Sequence, residues 1–149
     1  MEYLIREVRE NEIGLIIELC QKHAAHERMT YNPSQKKELL KKAIFSEVKQ
    51  LYCFVIESNC MIVGYFTYTF DFSTWDACRF LYLDCLYIES EFRGMGIGKT
   101  IIDRLKEIGR KNDCVNIQWQ TPIFNENAIE FYRRIRAIEK QKLRFTIEL

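Results

Sequence analysis

The apolar positions at the start of the chain indicate one short strand followed by two helices. Residues 3–9 place apolar side chains between charged ones, and Asn11 is a candidate cap for an amphipathic stretch that runs to about His26. Ser34 is a second candidate cap, because apolar residues at helical spacing follow it through about Val48.

The middle of the chain is rich in β-branched and aromatic residues. Residues 51–57, 60–70 and 79–88 form three such runs, and Ser58-Asn59 separates the first two as a turn. We therefore predict three successive antiparallel strands. Residues 71–77 are a polar connection that is long enough to form part of a cleft wall, although it carries no motif.

The last third of the chain alternates between helical and strand-like patterns. A helix that ends near residues 111–113 has one apolar face, formed by Ile97, Ile101, Ile102, Leu105 and Ile108. A short strand over residues 115–120 follows, and Asn125 is positioned to cap another helix. Residues 143–149 alternate as a closing strand.

Length, charge and cysteine spacing narrow the class of protein. The 149 residues are the size of one domain, and 22 basic against 21 acidic residues give no reason to expect nucleic acid or a membrane surface as a partner. The sequence lacks the apolar run of a signal peptide or a spanning helix, so we expect a cytoplasmic protein. The six cysteines form no C-x-x-C pair, which argues against a zinc or redox site.

The segment between the strand ending at Ile88 and the next helix is rich in glycine. Gly94, Gly96 and Gly98 alternate there, after Arg93. Glycines permit positive φ and leave the backbone open to a ligand, so consecutive N–H groups can converge on an anion beside the helix N-terminus. The loop therefore suits a pyrophosphate, and the glycines alone would also suit a dinucleotide or a mononucleotide.

Two nucleotide-binding motifs do not fit this context. A dinucleotide fingerprint requires a parallel strand–helix–strand unit near the chain start with an acidic residue about 20 positions on. Gly98-Lys99-Thr100 resembles the tail of a P-loop, but Arg93 stands where the first glycine of that motif belongs. We therefore reject nucleotide hydrolysis.

Two motifs together resemble the GNAT superfamily of acyl-coenzyme A N-acyltransferases. One is Arg-x-x-Gly-x-Gly over residues 93–98, and the other is residues 125–134, which resemble the final helix of that family. The likeness is greatest to the diamine (spermidine/spermine) acetyltransferases, through Tyr82-Leu83-Asp84 and residues 19–29 as well.

The resemblance implies an α/β (α+β) GNAT fold over residues 1–149. Its mixed, mostly antiparallel sheet would have six to seven strands and about four flanking helices, and strands 4 and 5 would splay apart. The donor would be acetyl-CoA, with no metal. The implied cofactor-binding residues are Leu86, Tyr87, Ile88, Arg93, Gly94, Met95, Gly96, Ile97, Gly98, Lys99 and Asn125.

The resemblance also assigns three polar side chains. An alkylamine has a pKa of about 10.4 and must lose a proton before it attacks, and Asp84 is the candidate to collect that proton. The alternative is a solvated or ion-paired aspartate. Desolvation in the apolar run would raise the pKa of Asp84. Tyr132 matches the acid that protonates the leaving thiolate, although a packed aromatic has the same pattern. Glu27 lies in the region that binds the amine, or it is a surface glutamate.

Three other polar residues receive no catalytic role. His23 and His26 have i, i+3 spacing without further ligands, which predicts a solvated helix face. Cys85 has no base partner, so direct transfer to the amine is preferred over an acyl-cysteine.

The chain departs from the family at two positions. Cys85 stands where the diamine enzymes have a second acidic residue, which weakens specificity for polyamines. Arg136 stands where the family has a glycine in left-handed geometry at a helix end, so we expect either a cost of about 1 kcal/mol or a reshaped turn.

These observations predict an N-acetyltransferase that acts on a small primary amine, such as a polyamine, diamine or amino-acid-like molecule. The alternatives are a protein or peptide acetyltransferase and a non-catalytic coenzyme A sensor. Homodimerisation through C-terminal strands would use Phe145, Ile147 and Leu149, which would otherwise pack inside the monomer.

Overall fold

The computed structural model describes residues 2–149, which contain a five-stranded sheet between two pairs of helices. The strands are β1 (Leu4–Glu7), β2 (Tyr52–Ser58), β3 (Met61–Ser73), β4 (Cys78–Ile88) and β5 (Cys114–Gln118). The helices are α1 (Ile13–His26), α2 (Lys36–Phe45), α3 (Ile97–Lys111) and α4 (Glu126–Arg134). The predicted fold class is confirmed, with five strands in place of six to seven.

The sheet follows the order β1-β2-β3-β4-β5, and only β5 runs parallel to its neighbour. Pairing between β4 and β5 extends from Arg79 opposite Cys114 to Tyr82 opposite Gln118. Residues 83–88 continue β4 beyond the last pair, so the two strands part halfway along β4. The predicted splay between strands 4 and 5 lies at this point.

A β-bulge in β4 is centred on Asp84. Thr67 of β3 pairs with Cys85, and the next residue, Tyr68, pairs with Leu83, so Asp84 is the extra residue. A bulge bends its strand and redirects a side chain.

The bulge also reverses which side chains of β4 face each pair of helices. Before it, Leu81 and Leu83 pack into the core on the α3 side of the sheet. After it, Cys85 and Tyr87 pack into the core on the α1 side. Side chains alternate along a strand, so one extra residue moves the odd-numbered positions to the opposite face.

The sheet is covered by a separate apolar cluster on each face. Ile101 and Leu105 of α3 are fully buried against Phe66. Ile13 and Ile16 of α1 and Ile44 of α2 pack on the other face. Burial of such side chains contributes roughly 1.5–3 kcal/mol each, so both faces stabilise the strands that hold β4.

The first two helices begin later than predicted. Asn11 lies in a 3-10 turn, and α1 begins at Ile13 because Glu12 is bound by both terminal nitrogens of Arg6 and by the N–H of Arg9. Ser34 is not the cap of α2 either, since Gln35 occupies the N-cap position with φ of 60°.

The connection between β3 and β4 is shorter than the sequence predicts. β3 extends to Ser73, which pairs with Cys78, so only residues 74–77 form the turn. Trp75 is 98% exposed there, at the end of β4 farthest from the glycine loop. Because residues 71–73 continue the strand pairing, the segment free to form a cleft wall is shorter than predicted.

The predicted closing strand over residues 143–149 is absent from the structure, and residues 137–149 form neither helix nor strand. Phe145 is 86% exposed, and Ile147 and Leu149 are equally uncovered. The alternative that these side chains pack inside the monomer is therefore wrong. An alternating apolar segment forms a strand only when another strand pairs with it and a core covers it, and in this structure residues 143–149 have neither contact.

The end of α4 confirms the left-handed geometry expected at Arg136, which has φ of 62°. The N–H of Ala137 donates to the carbonyl of Tyr132 over 3.0 Å, and that of Arg136 donates to Arg133 over 2.9 Å. This pair of bonds is a Schellman motif, in which glycine is the usual left-handed residue.

Arg136→Gly should raise the free energy of unfolding by about 0.5–1 kcal/mol, because it removes a Cβ from the left-handed region. Chemical denaturation measures the change. Arg136→Ala is the matched control, since it removes the same side chain but keeps the Cβ. Equal stability of the two variants would contradict the strain at this position.

Candidate active site

A cavity of about 610 Å³ lies where β4 and β5 part. Its walls come from the second half of β4, the loop before α3, the end of β5, and α4, and the C-terminal end of α1 closes one side. All of the predicted site residues line this cavity except Met95, which is 45% exposed outside it.

The glycine loop forms one end of the cavity with an exposed backbone. Gly94 has φ of 77° and Gly96 has φ of 81°, and no atom lies within 4 Å of a Cβ built at either position. Gly96 is the N-cap of α3, whose first turn contains no acidic residue. The helix therefore presents unpaired N–H groups and the positive end of its dipole to the cavity, which suits phosphate groups.

The third glycine allows α4 to approach α3. A Cβ at Gly98 would lie 3.2 Å from Cζ of Phe131, so the phenyl ring packs directly on the first turn of α3. Asn125 begins α4 as predicted, and its side chain accepts a hydrogen bond from the N–H of Ala128 over 3.4 Å. This packing positions Tyr132, the residue after Phe131.

Arg93 attaches the loop to the end of β4. Its Nε donates to the carbonyl of Ile88 over 2.7 Å, and its guanidinium lies 5.5 Å from the ring of Tyr87. The side chain thus places a permanent positive charge at the cavity wall beside the glycine loop.

Tyr132 faces the cavity from α4. Burial, followed by the charge of Glu27, raises the pKa of its hydroxyl to about 12. Its ring lies 5.1 Å from that of Trp119, a cavity-lining residue that the sequence did not single out. No hydrogen bond joins the hydroxyl to any side chain that the structure describes, so it can donate to a molecule in the cavity.

Asp84 projects from the bulge and is exposed rather than desolvated, so the burial expected from its apolar neighbours is absent. The thiol of Cys85 donates to Oδ2 of Asp84 over 3.6 Å. Burial raises the pKa of that thiol to about 12, and a protonated thiol is a poor nucleophile.

His23 is the functional candidate that sequence reasoning missed. It was expected on a solvated helix face, but its side chain is only 13% exposed and lines the cavity. Nδ1 lies 3.1 Å from the hydroxyl of Tyr65, and Nε2 lies 3.3 Å from Oε1 of Glu27. The i, i+4 spacing of His23 and Glu27 was visible in the sequence, whereas Tyr65 comes from a strand 42 residues away.

The partners of His23 determine its tautomer. Burial raises the pKa of Tyr65 far above the ordinary phenol value, so the tyrosine remains a donor. The thiol of Cys20 donates to the Tyr65 oxygen over 3.3 Å, which directs the phenolic proton towards Nδ1 of His23. Nε2 then carries the proton and faces Oε1 of Glu27 over 3.3 Å. These contacts place the Glu27 carboxylate beside an oriented imidazole in the cavity wall.

Two strands that part beside a glycine loop at a helix N-terminus are the arrangement of an acyl-transfer enzyme. The chain belongs to the acetyltransferase (GNAT) family, whose model matches residues 16–136. The protein is an acetyltransferase, and the resemblance drawn from the glycine loop and the final helix is confirmed.

Individual relatives agree with this family. The thialysine N-epsilon-acetyltransferase of Sus scrofa is 31% identical over 143 residues, which cover 90% of this chain and 83% of that protein. The spermidine/spermine N(1)-acetyltransferase-like protein 1 of Homo sapiens is 26% identical over 93% of this chain, which spans 21% of that protein. The structure of a possible acetyltransferase from Clostridium difficile 630 superposes with a TM-score of 0.82 and 21% identity over 100% of this chain and 99% of that one, a likeness of fold.

None of the helices within residues 2–149 is long and apolar enough to cross a membrane. Over the same described range, no three His, Cys, Asp or Glu side chains come together as a metal site.

His23 should make the stability of the fold depend on pH near neutrality. Burial lowers its pKa below the usual value of 6.5, so the unfolded chain takes up this proton first. Stability should therefore fall as pH decreases through about 6.5, by at most about 1.4 kcal/mol per pH unit from this group.

His23→Gln should make this decline shallower in urea unfolding measured from pH 7.5 to 5.5. His26→Gln is the matched control on the same helix, because His26 is exposed and should leave the slope unchanged. If the stability of His23→Gln falls with decreasing pH as steeply as that of the wild type, His23 is not the cause of the pH dependence.

Proposed function

We propose that the protein transfers an acetyl group from acetyl-CoA to the primary amine of a small molecule, by direct attack in a ternary complex. The observation that carries this proposal is the single cavity that joins the glycine loop to Asp84, Glu27 and Tyr132. A donor site, a carboxylate pair and a protonated phenol around one space are the groups that amide formation from a thioester requires.

The donor end of the cavity fits coenzyme A. The backbone from Gly94 to Lys99 would hold the pyrophosphate, since open Cβ positions at two glycines leave room for its oxygens. Arg93 would supply charge, and Asn125 also lines the cavity. The edge of residues 86–88, which β5 leaves unpaired, would hydrogen-bond the amides of the pantetheine arm.

Proton transfer is divided between two sides of the cavity. The neutral amine attacks the thioester carbonyl, the carbon–sulfur bond breaks, and the thiolate takes a proton from Tyr132. A pKa of about 12 keeps that hydroxyl protonated at neutral pH and allows it to recover its proton from water. Asp84 takes the proton of the amine, directly or through water, and Glu27 attracts the ammonium before attack.

The acceptor is proposed to be a small molecule for two reasons. Glu27 and Asp84 line a cavity of about 610 Å³, a volume in the range of small-molecule sites. The relatives named above are described as acting on thialysine or as spermidine/spermine N(1)-acetyltransferase-like, and a small amine acceptor is the simplest extension of those names to this chain.

We also propose that the chain forms a homodimer through its C-terminal segment, residues 138–149. The large apolar side chains of this segment are exposed, namely Ile138, Leu143, Phe145, Ile147 and Leu149. β5 is an edge strand of the sheet, and unpaired edges and alternating apolar segments are partners for one another.

In analytical ultracentrifugation, the full chain should sediment with twice the chain mass of 17.9 kDa. Trp75→Ala is the control, because it changes another exposed apolar side chain and should keep the double mass. Phe145→Glu with Ile147→Glu should give the single mass, because charges prevent burial of the segment. A full chain of single mass would reject the dimer.

Tyr132→Phe should reduce kcat by about 10²-fold or more, with little change in KM for acetyl-CoA, because it removes the acid and keeps the ring. The rate is measured as thiol release from acetyl-CoA with spermidine, putrescine, lysine analogues and a lysine peptide as acceptors. Tyr82→Phe is the matched control, since Tyr82 lies on β4 outside the cavity.

Near-normal kcat in Tyr132→Phe would reject the acid role. Turnover with the peptide alone would favour a protein acetyltransferase, and acetyl-CoA binding without any turnover would favour a sensor.

A further inference from the structure

A second cavity of about 560 Å³ lies on the other side of Asp84, between α1, α2 and the sheet. The two cavities share one lining residue, which is Asp84. An amine placed at this carboxylate for acetylation therefore has the donor cavity on one side and the second cavity on the other. The bulge creates this arrangement, because it lets Asp84 project where the strand changes the face of its side chains.

The walls of the second cavity are mostly aliphatic. They include Ile16, Leu39, Leu40, Ala43, Ile44 and Leu51. Thr67, also in the wall, is 5% exposed, and its Oγ1 has no hydrogen-bond partner. Such walls match the methylene chain of a small amine, whose burial against aliphatic side chains is favourable.

The charges at this cavity are positive apart from Asp84. Lys36 and Lys42 of α2 line it, and neither forms an ion pair with another described residue. Nζ of Lys36 lies 3.9 Å from the ring centroid of Tyr31, which holds the ammonium at the cavity. Cys85, at the position of an acidic residue in the diamine enzymes, adds a neutral thiol to the wall.

We propose that the second cavity binds the far end of the acceptor and selects an aliphatic amine that ends in a carboxylate, an ω-amino acid, over a diamine. This inference rests on the proposed acetyl transfer at Asp84. A carboxylate at the far end would pair with Lys36, whereas a second ammonium would be desolvated beside two positive side chains. Asp84 can neutralise one ammonium, and the reacting amine already uses it.

Three amines with the same six-carbon chain test the proposal: 6-aminohexanoate, hexylamine and 1,6-diaminohexane. The expected order of kcat/KM is 6-aminohexanoate, then hexylamine, then the diamine, with at least about tenfold between the first and last. Lys36→Glu should reverse the order of the acid and the diamine, and Lys36→Ala should reduce the difference. Lys37→Glu is the matched control, because Lys37 is exposed on the same helix outside the cavity.

Calorimetric binding of the same amines to the enzyme with coenzyme A separates this inference from the proposed function. Stronger binding of 6-aminohexanoate than of the diamine, lost in Lys36→Glu, supports the cavity even if turnover is slow. Equal or better acetylation of the diamine by the wild type would overturn the inference and leave acetyl transfer intact. The inference would also be overturned if Lys36→Glu melts at the same temperature as the wild type and keeps the wild-type order of kcat/KM for the three amines. Acetylation of no amine would reject the proposed function instead.

Discussion

The parting of β4 from β5 is the constraint on which the rest of this structure depends. β4 is paired with β3 along its whole length, but its pairs with β5 end at Tyr82. Buried backbone groups need hydrogen-bond partners, so an interior edge without a strand is a place for a ligand to complete the pairing. The glycine loop follows at the end of the same strand, and the cavity therefore joins an open backbone edge to a helix N-terminus.

The bulge at Asp84 has a second, separate effect on the same strand. Without the extra residue, the odd-numbered positions after Leu83 would face α3. With it, Cys85 and Tyr87 face α1, and Asp84 projects between two cavities. One inserted residue thus places the carboxylate at the junction and packs the end of β4 on both faces.

Charge is distributed unequally around that junction. On the donor side, Glu27 is held by His23, which is itself oriented by Tyr65 and Cys20. Burial is the main cause of the raised pKa of the neighbouring Tyr132, and the negative charge of Glu27 adds to it. On the other side, α2 contributes lysines and aliphatic side chains. The two cavities therefore favour opposite charges at the two ends of an acceptor.

The sequence by itself determined the local features: the order of the elements as far as α4, the glycine loop and the cap at Asn125. Each depends on backbone torsions and hydrogen bonds within a few residues, which residue type controls directly. The tertiary structure decided the bulge, the burial of His23 and the uncovered C-terminal segment. Tyr65 meets His23 only through the packing of α1 on the sheet. Residues 143–149 have a strand pattern but pair with no strand in this structure. The pattern alone could not decide this, because strand pairing depends on residues distant in the chain or on a second molecule.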